Sequence, residues 1–176
     1  LRQEKYYIPE FEDRYLAYRV AREDWSWTQV VTYVNASRDK ERYIDVVGVD
    51  FSKDVRALIG KYHYLGTYEP DDLVELSSTY NAGSTPYLRR EAAENFMKMA
   101  DAARLEGLVL KNVSGYRSYA TQEWLYNNYV ARDGELLANT YSSKPGYSEH
   151  QAGLATDINS VDESFKYTNE YAWLQE

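Results

Sequence analysis

Along most of the chain the apolar and aromatic positions recur at helical spacing, with short β-branched runs between them. Phe11, Tyr15 and Tyr18 share one helical face. Ser26-Trp27-Thr28-Gln29 reads as a capping box, and Trp27, Val30, Val31 and Val34 form the stripe that follows it. The charged run 38–42 reads as a loop, and 43–51, rich in β-branched and aromatic residues, as a short strand. Val55, Leu58 and Ile59 suggest a short helix, and Pro70-Asp71-Asp72-Leu73 a turn into a helical turn. The strongest pattern predicts a helix over 86–106. Thr85 would be its N-cap, Pro86 its first residue, Gly107 its stop, and Ala93, Phe96, Met97, Ala100 and Ala103 its stripe. A buried strand over 108–113 and a helix over 119–132 follow, the latter between Ser118 and Gly134. Pro145-Gly146 marks a turn and 153–158 a strand, and Thr168 opens a last helix. Helices and short strands alternate without a βαβ rhythm, which predicts an α+β fold with a small antiparallel sheet flanked by helices.

Composition narrows the function classes. The 176 residues carry 20 Lys and Arg against 28 Asp and Glu, a formal net charge of −8. Non-specific nucleic-acid binding needs a basic surface and is not expected. The absence of cysteine excludes disulfides, thiolate zinc sites and cysteine nucleophiles. No apolar run approaches the length of a membrane span, and no basic-then-apolar leader stands at Leu1. Tyrosine supplies 19 of the aromatic residues; its apolar ring and polar tip suit the rim of a core or groove.

The unusual chemistry is concentrated between Ser114 and Asp157. His150 and Asp157 stand six residues apart with Gly153 between them. Imidazole and carboxylate are both suitable zinc ligands. An Asp in an otherwise apolar strand is costly unless paired or metal-bound. Two ligands on spacing alone do not make a site, and a turn cap at His150 with a backbone N–H or an Arg as partner for Asp157 accounts for them more readily. Arg117, at a strand-to-helix junction, can hold a carboxylate or a developing oxyanion, or serve in a structural ion pair. Gln122 either faces the same hollow or lies exposed on its helix. His63 has no acidic residue at ligand spacing and reads as structural or exposed.

The run Ser114-Gly115-Tyr116-Arg117-Ser118-Tyr119, then Gln122, then Pro145-Gly146-Tyr147-Ser148-Glu149-His150-Gln151-Ala152-Gly153-Leu154-Ala155-Thr156-Asp157, resembles the VanY-type D-alanyl-D-alanine carboxypeptidases. These belong to the LAS group of zinc peptidases. Upstream, Leu58-Ile59-Gly60-Lys61-Tyr62 and Tyr68-Glu69-Pro70-Asp71-Asp72-Leu73 are similar to the family's lead-in, with Gly60 where the family has Asn. The resemblance implies a LAS-type fold over 51–176, preceded by an N-terminal helical extension or cap over 1–50. It implies that His150 and Asp157 bind Zn2+. Arg117 would be catalytic, orienting the substrate and stabilising the oxyanion, and Tyr116, Gln122 and Ser148 would contact substrate. The expected substrate is the peptidoglycan stem peptide, trimmed of its terminal D-alanine at the bacterial cell envelope by an extracellular, membrane-anchored protein. The family's Glu-x-Trp-His, which brings the general base and the third zinc ligand, has no counterpart after Asp157. The expectation is therefore a C-terminally truncated chain that lacks the last strands and is inactive by itself. An L,D-carboxypeptidase, a peptidoglycan endopeptidase, a non-catalytic wall-binding module and a purely structural domain are the competing expectations.

Overall fold

The computed structural model describes residues 1–51 and 56–176, and the chain divides into two units, Leu1–Tyr64 and Leu65–Glu176. In the first unit α1 (Glu12–Ala21) and α2 (Trp27–Asn35) pack through Tyr15, Val30, Val31 and Val34, with Phe11, Tyr18 and Trp27 against them. The capping box at Ser26 forms, with reciprocal Ser26–Gln29 bonds. The loop over 38–42 is tied down at Asp39, whose carboxylate takes two bonds from Arg14, while the same guanidinium caps Val34 O at 2.9 Å. Of the strand expected over 43–51 only β1 (Val47–Gly48) forms, paired in parallel with β2 (His63–Tyr64). Tyr43 and Asp45 adopt left-handed φ values of 64° and 49°, and an extended run cannot pass through them. Val55 of the expected short helix lies outside the described residues, and Leu58 and Ile59 are irregular.

The second unit departs from the sequence pattern most clearly at its start. β3 (Leu73–Glu75) replaces the helical turn expected after Pro70, and β4 (Tyr87–Arg89) replaces the first turn of the helix expected from Pro86. The two pair antiparallel, Val74 opposite Leu88. Burial explains the exchange. Leu88 is 1% exposed between a solvent-facing Tyr87 and a half-buried Arg89, which is strand alternation. Beyond the pair, Arg89 N donates to Gly153 O and Arg90 N to Asp72 O, so the chain's donors are satisfied non-locally. The helix therefore begins at Arg90.

From there the pattern holds. α3 (Arg90–Leu105) buries Ala93, Phe96, Ala100 and Ala103. It ends in a Schellman motif: Gly107, at φ 80°, donates to Arg104 O and Leu108 N to Ala103 O. The expected strands shrink to β5 (Asn112–Ser114) and β6 (Asp157–Ile158), which pair antiparallel with Ser114 opposite Asp157. Between them run α4 (Tyr119–Asp133), N-capped by Ser118, and α5 (Glu135–Tyr141). The last helix, α6 (Asn169–Trp173), is capped by Thr168, and Trp173 packs on the Ala100–Ala103–Leu110 cluster.

Candidate active site

β5 and β6 place Ser114 and Asp157 side by side, and the segment leaving β5 must then pass very close to its neighbours. A Cβ on Gly115 would lie 2.5 Å from Tyr87 O, and one on Gly83 would lie 1.8 Å from Val113 O, so both positions require glycine. Gly115 N donates to Thr85 O and Tyr116 N to Tyr87 O, which anchors this segment against the β4 region.

The turn carrying His150 is pinned from the other side. Gln151 is fully buried. Its amide donates to Gly66 O at 2.9 Å and Tyr68 O at 3.0 Å and accepts from Gly146 N at 3.2 Å. Gly153 closes the turn at φ 72°, and a Cβ there would meet the Arg89 side chain at 2.9 Å. At the start of β5, Asn112 is fully buried, accepting from Thr156 Oγ1 at 2.6 Å and donating to Thr85 O at 3.0 Å. Asp157 is thus fixed by its own strand and by its neighbour.

His150 Nδ1 lies 2.9 Å from Gly115 O. A carbonyl only accepts, so Nδ1 carries the hydrogen, and whenever the ring is neutral Nε2 presents a lone pair. That lone pair faces Asp157 Oδ2 at 3.5 Å. Two acceptors converging at this distance suit a cation, and a ring oriented by a carbonyl is the usual outer support of a metal-ligating histidine. Among the described residues no group of three or more His, Cys, Asp or Glu converges, so the fit to zinc extends to two ligands.

His150 and Asp157 open on a cavity of about 870 Å³, whose lining includes Arg117, Gln122 and Ser148. Arg117 donates to Ser114 Oγ at 3.0 Å and to Gln122 Oε1 at 2.8 Å, and its backbone N–H to His150 O. Burial pulls its pKa below the ordinary guanidinium value, while the Asp157 and Tyr129 charges pull the other way. Ser148 is buried and leads into the short turn that carries His150. Gln122 is buried at 1% exposure, with its amide already engaged inside the protein. Tyr116 is not brought to the cavity. Its hydroxyl is buried without a hydrogen-bond partner among the described residues, and burial, followed by the Glu69 charge, raises its pKa. Arg117, the next residue along the chain, turns into the hollow instead. His63 lies on β2 in the first unit, where burial, then Lys40, lowers its pKa.

Sequence reading missed several parts of the wall, among them Thr85, Tyr129, Tyr141 and Ser143, together with Trp124 at the rim, 68% exposed. Part of this was visible: Thr121, Leu125 and Tyr129 recur at four-residue steps, one face of α4. The contributions of Thr85, Tyr141 and Ser143 depend on non-local packing and carry no local signal.

A family model described as VanY: D-alanyl-D-alanine carboxypeptidase matches residues 85–176. The chain belongs to the VanY family. Among its relatives, YodJ of Bacillus subtilis, which carries a carboxypeptidase name, is 40% identical over 134 residues, covering 70% of this chain and 49% of YodJ. The D-alanyl-D-alanine carboxypeptidase of Enterococcus faecalis is 38% identical over 85 residues, 43% of this chain and 32% of that enzyme. The chain thus spans about half the length of the first of these relatives and a third of the second. The solved LdcB LD-carboxypeptidase matches with a TM-score of 0.68 at 35% identity, covering 77% of this chain and 68% of LdcB. The vancomycin-resistance D,D-pentapeptidase VanY of the VanB-type cassette, solved in complex with Zn(II), matches with a TM-score of 0.52 at 27% identity, covering 67% and 68%. VanYB in complex with D-alanine-D-alanine gives 0.52 at 26% identity, covering 68% and 67%. These likenesses establish the VanY-type α+β peptidase fold for this member of the family.

Proposed function

We propose that this chain carries the metal-binding and substrate-orienting part of a zinc-dependent carboxypeptidase that removes the terminal D-alanine of peptidoglycan stem peptides at the bacterial cell envelope. The observation that carries the reading is the approach of His150 Nε2 to Asp157 Oδ2, 3.5 Å apart on the cavity that also holds Arg117. The zinc of one VanY relative and the D-alanine-D-alanine of another support the choice of metal and ligand. His150 and Asp157 would hold the ion, with Gly115 O fixing the ring. When bound, zinc polarises the scissile carbonyl and acidifies its water. Arg117 meets the substrate carboxylate or the oxyanion that forms on the peptide carbonyl. A single such donor is worth roughly 3 kcal/mol of barrier. Ser148 lines the floor beside it.

The test is incubation of the full-length protein with muropeptides ending in D-Ala-D-Ala or in one D-Ala, with products read by mass spectrometry. Release of one D-alanine from the D-Ala-D-Ala substrate, abolished by a chelator and by Asp157→Asn, is the expected result. Turnover that survives chelation would end the zinc reading. A second reading, the L,D-carboxypeptidase, draws on the greater likeness to LdcB than to VanY, and cleavage of the peptide ending in a single D-Ala would favour it. For these 176 residues alone, calorimetry is expected to show weak zinc binding, lost in His150→Ala, because two protein ligands leave half the tetrahedron to water.

A further inference from the structure

We propose that Gln122 is a positioning residue that locks the Arg117 guanidinium in place while leaving its charge uncompensated, and so sets the preference of this cavity for peptides ending in a free carboxylate. The proposal rests on the reading of Arg117 given above and adds to it the residue through which Arg117 is controlled.

Among the described residues Arg117 makes two side-chain hydrogen bonds, to Ser114 Oγ and to Gln122 Oε1, and both acceptors are neutral. The largest charge effect on it comes from Asp157, and among the described residues it makes no ion pair with a carboxylate. A partly buried guanidinium normally finds a carboxylate, and a bidentate carboxylate would use up both its geometry and its charge. Here the guanidinium is oriented without being neutralised.

Gln122 is suited to this task by the rest of its own bonds. Its Nε2 donates to Ser143 O at 2.6 Å and faces Ser142 Oγ at 3.4 Å. These partners determine which way the amide points. A flipped amide would set its NH2 against the Arg117 NH1 donor and its oxygen against Ser143 O. The side chain is 1% exposed, so water does not replace either bond. Gln122 therefore does not contact substrate itself; both ends of its amide are committed, one to Arg117 and one to the 142–143 wall. The alternatives fail for distinct reasons. Glutamate would accept from Arg117 but cancel its charge and set a carboxylate against Ser143 O. Methionine would fill the volume and leave the guanidinium held by Ser114 Oγ alone.

Two measurements on the 176-residue chain test this. In the first, N-acetyl-L-lysyl-D-alanyl-D-alanine and its C-terminal amide are titrated by NMR. The unsubstituted chain is expected to favour the acid by about tenfold or more, the scale of one charge-assisted contact. In Gln122→Glu the acid and amide affinities should fall within about twofold of each other. In the second, the Arg117 side-chain 15N–H signals are followed without ligand: rotation is expected to be markedly faster in Gln122→Met, where only Ser114 Oγ holds the guanidinium, than in the parent. Loss of the acid preference in Arg117→Ala but its retention in Gln122→Glu would overturn the role of Gln122 and leave that of Arg117 standing. No acid preference in the parent, or one that survives Arg117→Ala, would remove the Arg117 reading and this proposal with it. If Gln122→Glu does not fold, the Met variant decides, and rotation as slow there as in the parent overturns the proposal.

Discussion

Within the segment Ser148-Glu149-His150-Gln151, adjacent residues have unrelated tasks. His150 presents a lone pair to Asp157, whereas Gln151 turns away into the protein and satisfies three backbone groups, at Gly66, Tyr68 and Gly146. Glu149 is exposed. The sequence singles out the whole run; burial alone separates the side chain that faces the cavity from the strut. Gln151→Leu would keep the volume and orphan all three groups. Each buried unsatisfied group costs about 1–3 kcal/mol, so urea denaturation should show a loss of roughly 3 kcal/mol or more. Glu149→Ala should lie within about 0.5 kcal/mol of the parent. Unchanged unfolding in Gln151→Leu would mean that these bonds are dispensable. Tyr116 teaches the same lesson from the opposite side: it neighbours Arg117 in the chain, yet its hydroxyl is buried away from the cavity.

Elements bounded by local signals were legible, and elements made by pairing were not. α2, α4 and α6 begin where Ser26, Ser118 and Thr168 stand, because each cap is a bond between residues three positions apart. The β3–β4 pair was read as helix at both strands. Leu73 to Glu75 gains its strand identity only from a partner at 87–89, and three residues carry too little periodicity to reveal it. The cap of α4 has a functional consequence, since that helix carries Gln122 and the Tyr129 wall. Ser118→Ala removes the acceptor of Thr121 N and should cost about 1 kcal/mol of unfolding free energy. Because Gln122 lies in the first turns of α4, the frayed N-terminus should also raise amide exchange at Gln122 in hydrogen-exchange NMR. Full protection there in Ser118→Ala would show that packing, not the cap, holds the turn.

On the scale of the whole molecule, a net charge of −8 opposes any anionic substrate. That field is screened beyond about 8–10 Å in physiological salt, so one uncompensated guanidinium in the cavity can dominate locally. Acid sensitivity is expected in the first unit for a different reason. Burial, and then Lys40, holds the His63 pKa below its ordinary 6.5. Above pH 6.5 the ring is neutral whether folded or unfolded, and stability does not change with its titration. As pH falls below 6.5 the unfolded chain takes up the proton first, so stability declines until the folded-state pKa is reached. The unfolding midpoint followed through Trp25 and Trp27 fluorescence should drop across this window, and His63→Gln should remove that drop. An identical pH profile for the variant would assign the acid response to other groups.

By itself the sequence determined the segment that holds the candidate site residues, the starts of α2, α4 and α6 and the α+β class, because caps, stripes and a motif confined to residues 114–157 are local quantities. Which of those residues face a common hollow was decided by tertiary structure. The pairing of Ser114 with Asp157 brings the carboxylate to the imidazole, and the 142–143 wall turns the Gln122 amide from a ligand-binding group into a support for Arg117. Such contacts join positions far apart in the chain, and their geometry is set by packing and by the need to satisfy every buried polar group.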